Sequence, residues 1–216
     1  SLSTRKTNII GLVMDELGNP SQLKLLNEVT RQLQLKSYSS LLLNLSSEYS
    51  PANALTLADQ LQVDGLLFLG TTLTHELINL AQNIKHIPLV VMFRNSGTAG
   101  IPFVSTDGFQ AGREIAELFV ESGYRNIGYM AGPTSAIGAM DALLACHAVG
   151  KIAIVGFDDI ELASSPAYEL TTFRQPLEFL VGAAIDRLLD ISGNERTSLL
   201  SPGALILRAS HKRTAA

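Results

Sequence analysis

The chain has 216 residues, of which 46% are hydrophobic and 17% charged, and its formal net charge is −4. This composition provides enough apolar surface for one large domain or two small ones and argues against global disorder. The negative charge gives no support for a nucleic-acid-binding face, and the apolar runs are too short to span a membrane.

The first half of the chain alternates between short apolar runs and amphipathic segments. The apolar runs predict β-strands at residues 8–14, 41–43, 66–69 and 89–93. Apolar residues at helical spacing predict helices between these strands, at residues 20–33, 52–61 and 75–82. Asn19 before Pro20 is typical of a helix start, because Asn caps the first turn and Pro fits it. This alternation predicts βαβ units and a parallel sheet.

The second half continues the alternation less regularly. The predicted elements are extended segments at 103–107 and 170–175, helices at 109–122, 136–145 and 176–191, and strands at 127–130, 152–155 and 204–207. We expect residues 152–155 to be a strand buried on both faces, since consecutive apolar residues end there at a turn signal. Cys146 is expected to be a small core residue, and the histidines are expected at the surface or at helix ends.

The apolar run at residues 152–155 is followed by Gly156, Phe157 and two acidic residues, Asp158 and Asp159. In an open α/β sheet, ligands bind beyond the carboxyl ends of such strands, so either carboxylate could meet a ligand. The alternative is that one of them caps the next helix, which we favour for Asp159 and not for Asp158.

Polar residues also follow other predicted strands. They are Glu16 and Asn19 after the first strand, Thr71 and Thr72 after the third, Arg94 after the fourth, and Asp107 at the end of the first half. Carboxylate, amide and guanidinium groups suit hydroxyl-rich or charged small ligands, because they form directional hydrogen bonds. Singly, each could be a turn residue or a helix cap. Together, their recurrence at strand ends favours a ligand-binding cleft.

The sequence gives little support for catalysis. It has no glycine-rich phosphate loop, no nucleophile–base pair and no metal-ligand spacing. An α/β enzyme with catalytic Asp107 and Asp158 is therefore a disfavoured alternative, and we expect no enzymatic activity, cofactor or metal.

Residues 155–159, Val-Gly-Phe-Asp-Asp, followed by residues 170–176, Leu-Thr-Thr-Phe-Arg-Gln-Pro, resemble the effector-binding core of the LacI/GalR family of bacterial transcription regulators. Further similar stretches are Ile10–Val13 with Asn19-Pro20, Val63–Leu66, Ile87–Val90 and Gly123–Pro133. The similarity extends from about residue 7 to residue 208.

The resemblance implies a type I periplasmic-binding-protein fold, an α/β architecture in which two doubly wound parallel-sheet lobes flank a ligand cleft. The implied N-terminal lobe comprises residues 7–107 and 174–193, and the C-terminal lobe comprises residues 108–173 and 199–209. The chain is expected to cross between lobes near Asp107, near residues 170–175 and near residues 192–200. Relative to the family pattern, residues are expected to be missing after Pro133, and the family's helix-turn-helix has no counterpart in this sequence.

By position, the resemblance implies a set of ligand contacts. They are Leu17, Asn19, Ser21, Thr71, Arg94, Asp107 and Asp158. Asp158 is the strongest of these, as an acceptor for ligand hydroxyls or an amine, whereas Arg94 could instead brace its loop. The stripe of Leu23, Leu26 and Val29 could be core or dimer surface, and we favour core for most of it.

The implied function is that of the effector-sensing and dimerisation core of a LacI-type transcription regulator, expected to be a repressor. A sugar or similar small polar metabolite in the cleft would control operator binding allosterically. The operator DNA would be bound by an N-terminal domain outside this sequence, in a cytoplasmic bacterial homodimer without membrane contact. The alternative is a periplasmic sugar-binding protein of a transport system, which the motif at residues 155–159 disfavours.

Overall fold

The computed structural model describes residues 6–15, 17–70, 75–84, 86–94, 101–124, 133–191, 193 and 197–213. The chain divides into two compact units, Ser1–Ser105 with Leu177–Ser201, and Thr106–Pro176 with Pro202–Ala216. It therefore passes from one unit to the other three times, after Ser105, Pro176 and Ser201.

Strands and helices alternate along most of the chain. In chain order the elements are β1 (Ile9–Met14), α1 (Pro20–Leu35), β2 (Ser39–Asn44), α2 (Pro51–Gln60), β3 (Gly65–Leu69), α3 (His75–Asn83), β4 (Leu89–Met92), β5 (Phe103–Thr106), α4 (Gly108–Glu121), α5 (Pro133–Ala145), β6 (Val155–Phe157), β7 (Thr171–Arg174), α6 (Leu177–Leu188), β8 (Leu199–Ser201) and β9 (Ala204–Ile206). A short 3-10 helix, Glu161–Ser164, lies between β6 and β7. None of the described helices is both long and apolar enough to cross a membrane.

The first unit contains a six-stranded sheet in the order β2-β1-β3-β4-β5-β8. Its strands β1 to β5 pair in parallel, as the alternation of strands and helices predicts. Successive side chains of a strand point to opposite faces, and both faces of this sheet carry a hydrophobic core. Leu12 packs in the core that contains α1 and α6, whereas the next residue, Val13, packs in the core that contains α2. The sheet is therefore doubly wound.

Helix α1 begins as its sequence predicts. The Asn19 side chain accepts a hydrogen bond from the Ser21 backbone N–H, and Pro20 occupies the first turn. Val29 is buried and Leu26 is partly buried in the core, but Leu23 is 52% exposed. The predicted apolar stripe is thus core at two of its three positions, because Leu25, and not Leu23, is the core leucine of this turn.

The second unit contains a smaller, three-stranded sheet in the order β6-β7-β9. Strands β6 and β7 are parallel, and β9 runs antiparallel to β7. Helix α5 packs Ala136, Ile137 and Met140 into a core that also contains Leu170. A C-terminal segment is hydrogen-bonded to this unit. Ser210 Oγ accepts from the Thr171 backbone N–H at 2.8 Å and donates to the Ile154 carbonyl at 2.6 Å.

The strand before Asp158 differs from its prediction. Strand β6 spans Val155–Phe157 rather than residues 152–155, and Ile152 is 55% exposed. Among the described strands, β6 pairs with β7 alone, and Val155 and Phe157 are only partly buried, so the expected burial on both faces is not observed. The predicted strand at 127–130 lies outside the described residues.

Three further sequence expectations were wrong or incomplete. Cys146 is exposed, because α5 ends at Ala145 and the cysteine lies beyond the packed helix. His211 is buried, with Nδ1 at 2.6 Å from Thr171 Oγ1, rather than at the surface. Residues 199–209 were assigned to the second lobe, whereas Leu199–Ser201 forms an edge strand of the first sheet and only the following residues belong to the second unit.

Candidate ligand-binding site

The loop between β1 and α1, together with the first turn of α1, contains three of the predicted ligand contacts. Leu17 is partly buried against the core, Asn19 caps α1, and Ser21 lies in its first turn. The buried Ser21 Oγ and the neighbouring Gln22 Oε1 have no hydrogen-bond partner among the described residues. Buried polar atoms are usually paired, so this part of the first unit has unused hydrogen-bonding capacity.

The carboxyl ends of β1, β3 and β4 lie at the same edge of the first sheet, because these strands are parallel and neighbouring. Arg94 follows β4 at this edge and is exposed. Gly70 follows β3 with φ 65°, and a Cβ there would lie 2.6 Å from Gln22 Nε2. The end of β3 and the start of α1 are therefore in close contact. Thr71 lies outside the described residues.

Asp107 caps helix α4. Its Oδ1 accepts from the backbone N–H groups of Phe109 and Gln110 at 3.0 and 3.1 Å. The helix-cap alternative considered for this residue is thus observed, and contact with a ligand stays a prediction. A cap of this kind contributes about 1 kcal/mol to stability.

Asp158 begins a tight turn directly after β6. Asp158 and Asp159 both have left-handed backbones, with φ 76° and 46°. This conformation costs of order 1–3 kcal/mol per residue outside glycine, although Asp tolerates it better than most residues. The Asp158 backbone N–H donates to the Phe173 carbonyl at 2.9 Å, which fixes the turn to β7.

The Asp158 carboxylate is held by a chain of side-chain hydrogen bonds. Gln175 Nε2 donates to Asp158 Oδ1, and Thr106 Oγ1 donates to Gln175 Oε1 at 2.6 Å. Because each hydrogen bond in this series is donated toward the next residue, the Asp158 carboxylate is an acceptor. A partly exposed carboxylate at a strand end can accept hydrogen bonds from the hydroxyl or amine groups of a small molecule.

Asp159 forms ion pairs with two arginines instead of capping a helix. Its side chain is 8% exposed; Arg174 Nη2 lies 2.6 Å from Oδ2, and Arg208 Nη2 lies 2.9 Å from Oδ1. Burial raises the pKa of the Asp159 carboxyl, but the hydrogen bonds and charges of the two arginines outweigh burial and hold the pKa below its usual range. The following 3-10 helix has Ile160 at its N-cap without a side-chain cap, so the cap prediction for Asp159 was wrong.

Four residues of this arrangement were not predicted as site residues from the sequence. They are Thr106, Arg174, Gln175 and Arg208. Arg174 and Gln175 lie within the Leu-Thr-Thr-Phe-Arg-Gln-Pro stretch and could have been found as polar residues at a strand end. No local sequence pattern indicates a role for Arg208, because its partner Asp159 lies 49 positions earlier in the chain. In the described part of the chain, no group of three or more His, Cys, Asp or Glu residues is arranged to hold a metal ion.

The sequence and the fold of this chain are similar to those of known proteins. A family model described as "Periplasmic binding proteins and sugar binding domain of LacI family" matches residues 7–155. Catabolite control protein A of Staphylococcus xylosus is 26% identical over 206 residues, which cover 92% of this chain and 60% of that protein. The chain thus spans less than two thirds of the length of this relative.

Two solved structures share the fold. A Lac repressor dimer bound to operator and the anti-inducer ONPF has a TM-score of 0.80 at 19% identity, covering 97% of this chain and 83% of that chain. A periplasmic binding protein/LacI transcriptional regulator from Alkaliphilus metalliredigens, complexed with D-xylulofuranose, has a TM-score of 0.72 at 18% identity, covering 94% and 99%. The fold is that of type I periplasmic binding proteins, and because the family model matches more than half of its residues, the chain belongs to the family of periplasmic binding proteins and LacI-type sugar-binding domains.

Proposed function

We propose that this chain is the effector-binding part of a LacI-type transcription regulator and that its effector is a sugar or a similarly hydroxyl-rich small metabolite. The observation that carries the proposal is the Asp158 carboxylate, which lies at the carboxyl end of β6 and is held as an acceptor by Gln175. Hydroxyl groups of a sugar are donors that such a carboxylate binds with good direction.

Similarity to catabolite control protein A favours a regulator over a transport protein. Catabolite control protein A resembles 92% of this chain, and the Gly-Phe-Asp-Asp stretch at residues 156–159 resembles the LacI/GalR regulators. The other members of the family are periplasmic binding proteins, so a sugar-binding protein of a transport system is the second candidate. Electrophoretic mobility shift of the full-length protein with DNA from its own promoter region separates the two, because a transport protein would not retard it.

The proposed partners are operator DNA, bound through a region outside this chain, and a second copy of the protein. The Lac repressor of similar fold is a dimer bound to operator, which supports both proposals. The site would act in the bacterial cytoplasm, where the DNA is. We propose that Asp107 contacts the effector together with Asp158, while the contacts at Leu17, Asn19, Ser21, Thr71 and Arg94 stay predictions.

A thermal-shift screen tests the effector. The panel comprises D-glucose, D-xylose, D-xylulose, D-ribose, cellobiose and common nucleosides. A ligand at a hundredfold excess over its dissociation constant should raise the melting temperature by roughly 5–10 °C for a chain of this size. Asp158→Ala should abolish the shift while the variant stays folded, and Asp59→Ala, an exposed carboxylate on α2, is the matched control. A shift that survives in Asp158→Ala contradicts the proposed site.

A further inference from the structure

The hydrogen-bond chain from Thr106 through Gln175 to Asp158 joins three segments that are distant in sequence. Thr106 ends β5, Gln175 directly follows β7, and Asp158 directly follows β6. All three residues belong to the second unit, and Thr106 and Gln175 lie next to points at which the chain passes between units. The Gln175 amide therefore connects two crossing segments to the proposed ligand acceptor.

The donors and acceptors in this chain determine the orientation of the amide. Thr106 Oγ1 lies 2.6 Å from Gln175 Oε1, so the hydroxyl donates to the carbonyl end of the amide. The opposite end, Nε2, then points its hydrogens at Asp158 Oδ1. Among the described residues, Oδ2 of Asp158 receives no hydrogen bond, which leaves it available to a ligand donor. The amide thus restrains one carboxylate oxygen and leaves the other open.

The main chain at Asp158 is itself fixed, so the hydrogen bond from Gln175 restrains the freedom that remains in the Asp158 side chain. Asp158 and Asp159 are both left-handed, and Asp159 is fixed by Arg174 and Arg208. The main chain is consequently held, and the remaining freedom of Asp158 is rotation of its side chain. Fixing that rotation before binding removes an ordering cost of about 0.5–1.5 kcal/mol that a free side chain would impose on association.

We propose that Gln175 is a positioning residue for the effector site, which orients the Asp158 carboxylate through Nε2 and is itself oriented by Thr106. This inference rests on the proposed function, because it takes Asp158 as the ligand acceptor. Gln175 acts through Asp158 and does not itself contact the ligand. Its removal should therefore weaken binding only while Asp158 is present.

The test uses isothermal titration calorimetry with the panel sugar, among D-glucose, D-xylose, D-xylulose, D-ribose and cellobiose, that gives the largest thermal shift. Gln175→Glu keeps the length of the side chain and an acceptor for Thr106, but it replaces the donor to Asp158 by a carboxylate that repels it. We expect affinity to fall about 10- to 100-fold, as for loss of a hydrogen bond to a charged group. Thr106→Val should weaken binding less, because it removes only the outer link.

A double-mutant cycle distinguishes positioning from a general structural effect. In an Asp158→Asn background, Gln175→Glu should weaken binding by less than about threefold, because coupled residues are not additive. An equal penalty in both backgrounds overturns the inference. Thermal unfolding of each variant confirms folding, and Gln175→Met replaces Gln175→Glu if the charged variant does not fold.

The remaining outcomes separate this inference from the proposed function. If the wild-type chain binds a sugar and Gln175→Glu binds it equally well, the positioning role is overturned and the proposed function stands. If the wild-type chain binds none of these sugars, the proposed sugar effector is contradicted, and the inference is overturned with it.

Discussion

The Phe173 ring stacks on the Phe157 ring, with 5.3 Å between their centroids and 19° between their planes. The two residues are paired in register on the parallel strands β6 and β7, immediately before Asp158 and Arg174. Their stacking therefore fixes the strand ends from which the candidate site extends. Aromatic pairs of this geometry contribute about 0.5–1.5 kcal/mol beyond the area that they bury.

Gly203→Ala should disturb this stack. A Cβ at position 203 would lie 2.3 Å from Phe173 Cε1 and 2.7 Å from the Arg174 carbonyl oxygen, so the ring or the strand would have to shift. We expect a loss of about 1–3 kcal/mol in the free energy of unfolding, measured by urea denaturation. Gly112→Ala on α4 is the control, since a Cβ there meets nothing within 4 Å. Equal stability of the two variants would contradict the packing described.

Asp159→Asn should destabilise the second unit. The substitution removes the charge that pairs with Arg208, whose side chain is only 17% exposed, and the remaining guanidinium would be left largely without a counter-charge. We expect a loss of about 1–3 kcal/mol in the free energy of unfolding. Glu117→Gln, which breaks an exposed pair with Arg113, should cost at most about 0.5 kcal/mol. A cost for Asp159→Asn as small as this control would show that the pair contributes nothing.

The same carboxylate predicts acid lability. The pKa of Asp159 is lower in the folded chain than its ordinary value of about 3.9, so below that value the unfolded chain binds more protons. The stabilisation is therefore fully present above about pH 4 and is lost as the pH falls through the folded pKa. Urea unfolding at a series of pH values between 2 and 5 should show a weaker pH dependence for Asp159→Asn than for the wild type.

We expect His211 to make the stability of the folded chain depend on pH in a second, separate range. Its burial and the charge of Lys212 lower its pKa in the folded chain, so folding disfavours the protonated ring. The unfolded chain binds more protons below about pH 6.5, and stability should decline from that pH downwards through the folded pKa. His211→Gln should remove this decline between pH 5 and 6.5, as followed by thermal unfolding. A wild-type chain of constant stability across that range would contradict the prediction.

Two substitutions at Asp107 separate its cap from its proposed ligand contact. Asp107→Ser keeps an oxygen that can cap α4, so stability should change little, whereas Asp107→Ala should cost about 1 kcal/mol. If Asp107 also contacts the effector, both variants bind it more weakly in calorimetry. Wild-type affinity in Asp107→Ser would leave the residue a helix cap alone.

Local patterns were sufficient to predict most elements of the first unit. Apolar periodicity located β1, β3 and α1, and the Asn19–Pro20 pair predicted the start of α1, because each depends on nearby residues. Strand β8 was missed, since its three residues carry no periodic signal and are ordered by pairing with the sheet.

The candidate site was harder to predict, because its side chains are brought together from distant parts of the sequence. Asp158 could be predicted from its position after an apolar run, although the strand begins three residues later than predicted, at Val155, and ends at Phe157. The ion pair between Asp159 and Arg208 could not be predicted, because Arg208 meets Asp159 only after β9 has returned alongside β7. Burial of His211 has the same cause, since its partner Thr171 lies 40 positions earlier.

Helix α6 has a consequence for how the protein is made. It supplies Leu180, Val181, Ala184, Ile185 and Leu188 to the core beneath β1 and β3, yet it follows β5 by the whole of residues 107–176. A nascent chain leaving the ribosome therefore exposes that face of the first sheet until α6 has been synthesised. The core of the first unit is therefore completed only after the chain has passed through most of the second unit, and until then the uncovered apolar surface is open to aggregation.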